Sequence, residues 1–223
     1  MTDLNMNRLP ESLTNGMLDY AYEVRRAREL LPIWKQFRVG FDIHSMARNF
    51  PPMIMNIGPL LHRHLIAGFP IDIICSNIHR VQRGFPAAHF YGNGRIPVLA
   101  IEAGHHEESG TFENARVCTI ALLQNLGMIV GRTEDTTRVY REYHVEKSVI
   151  FPDATFALSE FLTERFEQFH PVKKGDVLAE SSDRRRVLTS PIDGHALLHT
   201  RACPIDIKDE AVFLSRPVRE IVI

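Results

Sequence analysis

Three ionisable side chains stand at the ends of apolar runs. Asp42 and His44 lie in Arg38-Val-Gly-Phe-Asp-Ile-His-Ser-Met46, and Glu102 lies in Ile96-Pro-Val-Leu-Ala-Ile-Glu-Ala-Gly104. An apolar run with β-branched members that passes into polar residues is how a buried strand delivers a group to a site, and in parallel sheets ligands gather beyond the carboxyl ends of strands. Asp42 and His44 are two apart, so both point to one side of their strand. A carboxylate beside an imidazole fixes its tautomer and raises its basicity, the usual support for a metal-bound histidine. The structural alternative is a histidine that caps a core strand and is satisfied by its own aspartate. Glu102 is the sharper signal, because a carboxylate is almost never fully buried unless it is paired or working. Its structural alternative is an N-cap acceptor or ion-pair partner for the following helix. If His44 and Glu102 converge at one sheet edge, they supply what a hydrolytic zinc site needs: a metal ligand, and a carboxylate that moves the proton of water.

The elements that must position these residues can be read in order. The first sixteen residues, broken by Pro10 and Gly16, predict an extended loop. Residues 19–37 read as a helix, with Tyr20, Val24, Ala27, Leu30, Leu31 and Trp34 at three- and four-residue steps and a break or kink near Pro32. Strand 38–44 follows, then a Pro51-Pro52 loop, a strand over 53–57, a helix over 58–68 closed by Gly68, and a short strand over 71–75. His62 and His64 are two apart, do not share a helix face, and read as surface or rim residues. The 79–95 stretch, with His89, Tyr91 and Arg95, reads as a loop of a length often used for function. Strand 96–102 leads through Gly104 and His105-His106-Glu107-Glu108 into a helix over 113–126 with Gly127 as its C-cap.

From Arg138 onward the chain shows short β-type runs: 140–145, 149–151, an amphipathic stretch 158–168, a hairpin at Lys173-Lys-Gly-Asp176, and a second strand–turn–strand unit over 188–198. The expected architecture is therefore α/β: a mixed sheet flanked by helices over residues 1–135, followed by a small β-rich barrel or sandwich over 136–223.

Composition narrows the partners. The chain has 223 residues, 44% hydrophobic and 24% charged, with a formal charge of −1. That balance gives no electrostatic case for nucleic acid or an anionic membrane. No apolar segment is long enough to span a bilayer and no signal-peptide order precedes the first helix. Cys75, Cys118 and Cys203, an odd number without CxxC spacing, read as reduced thiols of a cytoplasmic protein.

Asn5-Met-Asn-Arg-Leu-Pro10, Phe41-Asp-Ile-His-Ser45 and Val98-Leu-Ala-Ile-Glu-Ala-Gly104, in that order, resemble the succinylglutamate desuccinylase and aspartoacylase family of zinc hydrolases, relatives of the zinc carboxypeptidases. The run from Val172-Lys-Lys-Gly-Asp176 to Ser190-Pro-Ile-Asp-Gly194 is similar to that family's β-rich C-terminal domain. The resemblance implies a zinc-carboxypeptidase-like fold and cleavage of the amide bond of an N-acyl amino acid or similar small carboxylate. It also implies that Asn7 and Arg8 bind the substrate carboxylate, where a guanidinium fork binds bidentately. His44 would be a zinc ligand oriented by Asp42, and Glu102 the general base that deprotonates water and then protonates the leaving amine. The structural alternatives are a solvated loop arginine at Arg8 and a turn residue at Asn7.

One departure stands out. The family draws its first two zinc ligands from a His-x-x-Glu motif ahead of the Asn-Arg segment, and this sequence begins at that segment. The His105–Glu108 run has the same spacing but follows the glutamate position, and reads as contacts at the pocket rim. Two expectations follow: a protein that starts upstream, or a relative that repairs an exposed strand edge by forming a homo-oligomer. Either way zinc should bind weakly to the chain as given. A second class of function is a non-catalytic carboxylate-binding or self-assembling protein. A third reading, a biotin- or lipoyl-type carrier at the C-terminal end, finds no lysine at a hairpin tip in a Met-Lys-Met-like setting.

Overall fold

The computed structural model describes residues 21–34, 36–46, 51–58, 60–81, 96–131, 137–163, 169–197 and 210–223. Helix α1 (Tyr22–Trp34) precedes strand β1 (Gly40–Met46), β2 (Met53–Asn56), the short helix α2 (Arg63–Ile66), β3 (Ile73–Ser76), α3 (Ile78–Val81), β4 (Val98–His105) and the long helix α4 (Ser109–Asn125). The remainder is β5 (Val139–Ile150), β6 (Phe156–Leu158), the single turn α5 (Glu160–Thr163), β7 (His170–Val172), β8 (Val177–Ser181), β9 (Val187–Thr189), β10 (Gly194–Leu197) and β11 (Glu210–Val222).

Eight strands form one mixed sheet in the order β1-β4-β2-β3-β5-β11-β10-β7, and β6-β8-β9 form a second, antiparallel sheet. The architecture is thus α/β with a large mixed sheet and a small β-rich layer, as the sequence pattern implies. β1 runs parallel to β4, while β2 runs antiparallel to β4 and parallel to β3. β5 pairs parallel with β3 and antiparallel with β11 along nearly its whole length, so the large sheet takes strands from both sides of residue 135.

Alternation splits the sheet into two apolar faces. On one, Ile54, Ile74, Leu99, Ile101 and Tyr140 pack under Leu65 and Ile66 of α2 and Cys118, Ala121 and Leu122 of α4. On the other, Met46, Met53, Met55, Cys75, Ala100, Tyr143 and Val145 meet Ile78 of α3 and Leu197 and Phe213 of the later strands. A third core, built on Val212, Leu214, Phe156, Leu178 and Ala179, joins the small sheet to the far end of the large one.

Several elements differ from the sequence expectation. The helix expected over 58–68 is a single turn, because Ala67 adopts an extended conformation and Gly68 a left-handed one (φ +78°) immediately after Ile66. Helix α4 starts at Ser109, four residues ahead of expectation, where Thr111 Oγ1 donates to His105 O at 2.6 Å. The runs 140–145 and 149–151 are one strand, β5.

The Lys173–Asp176 turn is not a hairpin. β7 before it pairs with β10 in the large sheet, whereas β8 after it pairs with β6 and β9 in the small one. The 189–194 turn makes the same crossing in reverse, from β9 to β10. The two turns bind each other: Gly175 N donates to Ser190 O, Ser190 N to Asp176 O, and Lys174 N to Asp193 Oδ1. Local turn chemistry marked both reversals, but the partner of each strand is fixed by the third core.

Candidate functional site

The site is built where β1 and β4 run side by side. Phe41, packed on Phe69 at 6.1 Å between ring centroids, anchors the inner face of β1, which turns Asp42 and His44 to the opposite face. In the β1–β4 register His44 is the direct partner of Glu102, and on the other side of β4 Glu102 faces Met53 of β2. His44 Nε2 lies 3.0 Å from Asp42 Oδ2, and both side chains remain a little over one-third exposed. Neither His44 nor Glu102 ends its strand as expected. β1 continues to Met46 and β4 to His105, because Met46 pairs with His105 through a register irregularity.

Glu102 is the most perturbed carboxylate of this region. Burial pushes its carboxyl up from the ordinary glutamate range to about 7; His44 opposes the shift and Asp42 adds to it. Its Oε2 is buried with no hydrogen-bond donor. The floor beside it is sulfur: Cys75 Sγ lies 3.7 Å from Met53 Sδ, and burial, with Glu102 adding to it, pushes the Cys75 thiol well above its ordinary range.

The end of the site is clamped by the turn that follows. Gly104 sits at φ +132°, and a Cβ there would lie 2.6 Å from Thr111 Oγ1. Asn114 Nδ2 donates to Ala103 O at 3.0 Å, and His106 N to Met46 O at 2.9 Å. His106 Nδ1 and Ser45 Oγ share a hydrogen bond of 2.7 Å, while His105 and His106 stack with centroids 6.3 Å apart. His105 thus closes β4 half-buried, and His106, Glu107 and Glu108 are exposed residues of the connection to α4. Sequence reasoning gave no role to Thr111, Asn114 or Ser45; Gly104, next to last in β4, was the signal for a close helix approach. Asn7 and Arg8 lie outside the described residues, as does most of the 79–95 loop.

A catalytic zinc site wants three protein ligands. Among the described residues no group of three His, Cys, Asp or Glu side chains could hold a metal ion. His44 is one imidazole beside two carboxylates, Asp42 at 3.0 Å and Glu102, whose carboxyl burial pushes up to about 7. Taken alone, the described donors fall short of the three that a catalytic zinc ion needs.

The arrangement resembles known structures across nearly its whole length. Succinylglutamate desuccinylase from Vibrio cholerae superposes with a TM-score of 0.71 at 16% identity over 97% of this chain and 66% of its own. Succinylglutamate desuccinylase/aspartoacylase from Rhodobacter sphaeroides gives 0.64 at 15%, over 97% and 68%. The fold is that of the succinylglutamate desuccinylases and aspartoacylases. Murine aminoacylase 3 shares it, with a TM-score of 0.64 at 15% identity over 99% of this chain and 78% of that one. The chain spans about two thirds of the length of the two bacterial structures. No family model and no curated protein matches the sequence. No described helix is long and apolar enough to cross a membrane.

Proposed function

We propose that this chain is a hydrolase of the linear amide bond in an N-acyl amino acid or similar small carboxylate, with Glu102 as the proton-transferring group. The observation that carries this reading is Glu102 itself: a half-buried carboxyl pushed up to about 7, with one buried oxygen that has no hydrogen-bond partner, beside the Asp42–His44 pair. A general acid–base works best when its pKa lies near the operating pH. Ionised Glu102 takes a proton from the attacking water as the new C–O bond forms. Protonated Glu102 then gives it to the departing nitrogen as the C–N bond breaks. Asp42 holds the His44 ring in place, and Arg8 with Asn7 binds the substrate carboxylate.

The name of each neighbouring structure suggests substrates to try: N-succinyl, N-acetyl and related N-acyl amino acids, with release of the free amine as the readout. Glu102→Gln should lower turnover by about 10²–10⁴-fold while substrate still binds. Absence of amine release by the unaltered chain over the whole panel would end the hydrolase reading. A soluble, cytoplasmic setting with reduced Cys75 and Cys118 belongs to the same proposal.

The second reading, a carboxylate-binding protein without catalysis, is favoured by one observation: the described donors do not assemble a metal site. Calorimetric binding of an N-acyl amino acid with no turnover, unchanged in Glu102→Gln, would establish it. Metal analysis separates the two further. Zinc should be well below one equivalent after dialysis, and a stoichiometric, retained ion would show that ligands beyond the described residues complete the site.

A further inference from the structure

We propose that His105 binds the acyl carbonyl oxygen of the substrate, donating its Nε2–H to that oxygen as negative charge gathers on it, while Glu102 moves the proton. The inference rests on the proposed function for its chemistry and on the end of β4 for its geometry.

β4 carries one residue more than β1 where the two strands close. His44 pairs with Glu102 and Met46 with His105, so Ser45 stands opposite both Ala103 and Gly104. Both of these residues face α4: Ala103 lies in the core that Cys118, Ala121 and Leu122 complete, and a Cβ on Gly104 would meet Thr111. Two successive residues on one face make a bulge, and a bulge re-aims the side chain beyond it. In a regular strand the third residue after Glu102 would point away from it. Here His105 shares the face of its partner Met46, which lies in the same apolar core as Met53, the β2 partner of Glu102. Met46 is two residues beyond His44, so His105 stands about 7 Å beyond Glu102 along the strand, room for one planar amide between the two side chains.

The backbone and ring of His105 are both held. Its carbonyl accepts from Thr111 Oγ1 at 2.6 Å and from Glu108 N at 3.1 Å. Glu107 N donates to its Nδ1 at 3.3 Å, and the His106 ring stacks on it. A neutral imidazole that accepts at Nδ1 carries its proton on Nε2. The ring therefore offers a fixed donor on the face of Glu102. As water adds to the acyl carbon, the carbonyl π pair moves onto the oxygen, where the Nε2–H meets it; the pair returns as the C–N bond breaks and Glu102 protonates the nitrogen. His105 keeps its proton throughout. A donor preorganised for charge that develops only in the transition state raises turnover more than binding.

In proton–nitrogen correlation spectra of the whole chain, with the His105 signals assigned by their loss in His105→Gln, the ring should be neutral and protonated at Nε2. In Glu102→Gln, N-acetylglycine should shift the His105 Nε2 resonance. Pentanoate, which has the same length and carboxylate but no amide, should not. An Nδ1-protonated ring, or a shift with both compounds or with neither, would overturn the inference. On the substrate panel, His105→Phe keeps a ring beside His106 and removes the donor, and it should lower kcat about 10²–10³-fold with KM little changed. His105→Gln, which restores an N–H donor, should recover most of that loss. An unchanged kcat in His105→Phe, or equal losses in the two folded variants, would also overturn it. Should His105→Phe fail to fold, the tautomer and the titrations, which use the unaltered histidine, still decide. A His105 shift without amide hydrolysis counts against the proposed function alone, and hydrolysis with an unmoved His105 counts against this inference alone.

Discussion

Glu102 carries a consequence for stability that is independent of any substrate. A carboxyl whose folded pKa lies above its unfolded value stabilises nothing when ionised: the fold is least burdened below about pH 4.5 and loses stability as pH rises toward 7. A rise from 4.5 to about 7 corresponds to a loss on the order of 3 kcal/mol. In metal-free buffer, urea unfolding of Glu102→Gln should therefore match the wild type near pH 4.5 and exceed it by a few kcal/mol at pH 8. An equal gap at both pH values would show that Glu102 is not held protonated by its surroundings. Glu142 behaves in the opposite sense. It is 3% exposed, and although burial pushes its carboxyl up, hydrogen bonds from Ser76 Oγ (2.6 Å) and Arg219 Nε (2.7 Å) hold it below the ordinary range. Its contribution is present above the unfolded glutamate value and is lost as pH falls through the depressed one. Arg219→Ala should cost roughly 1–3 kcal/mol at pH 7 and much less in acid, measured by the same unfolding curves. The two glutamates were not equally legible. Glu102 followed an uninterrupted apolar run and announced itself, whereas Glu142 stands in Val-Tyr-Arg-Glu-Tyr-His, where its burial depends on β3 and β11, strands distant in sequence.

At the scale of elements, the β4–α4 connection is where sequence and geometry agree most closely. Gly104 and Gly110 flank the same turn but differ in kind. Gly104 has φ +132° and no room for a Cβ beside Thr111, while nothing lies within 4 Å of a Cβ on Gly110, inside α4. Gly104→Ala should destabilise by about 1–3 kcal/mol, and Gly110→Ala should stabilise by roughly 0.5–1 kcal/mol through helix propensity. Thermal denaturation of the pair side by side checks both signs; a stabilising Gly104→Ala would mean that the turn is not strained. The strands β1, β2, β3 and β4 were each legible as apolar runs to within a few residues. β11 was not, because Pro217 and the charges of Arg216, Arg219 and Glu220 interrupt its pattern. They lie on the part of β11 that has no second neighbour among the described residues, where a strand tolerates them.

For the whole molecule, the pairing of β5 with β11 is what makes one body of the helix-flanked sheet and the β-rich end. β5 gives one edge to β3 and the other to β11, and β11 also closes the third core through Val212 and Leu214. The amides of β5 and β11 should accordingly be among the slowest to exchange with solvent and should open together with β3. Earlier exchange of the strands after residue 139, with β2–β4 still protected, would favour two separately folding units. Neither the shared sheet nor the crossing of the 173–176 and 189–194 turns between layers can be read from local pattern, since each depends on which distant strand wins a given edge.

That same pairing sets an order of events on the ribosome. β5 emerges with Tyr140, Tyr143, Val145 and Val149 ready to be buried, yet the strand that covers its second edge, β11, is translated only after β6 to β10. Until β11 arrives, the middle of the sheet has an open, apolar flank, and domains in that condition aggregate. Expression of this chain should therefore respond to slower synthesis at low temperature and to holdase chaperones, which guard the nascent β5 while its partner is still being made.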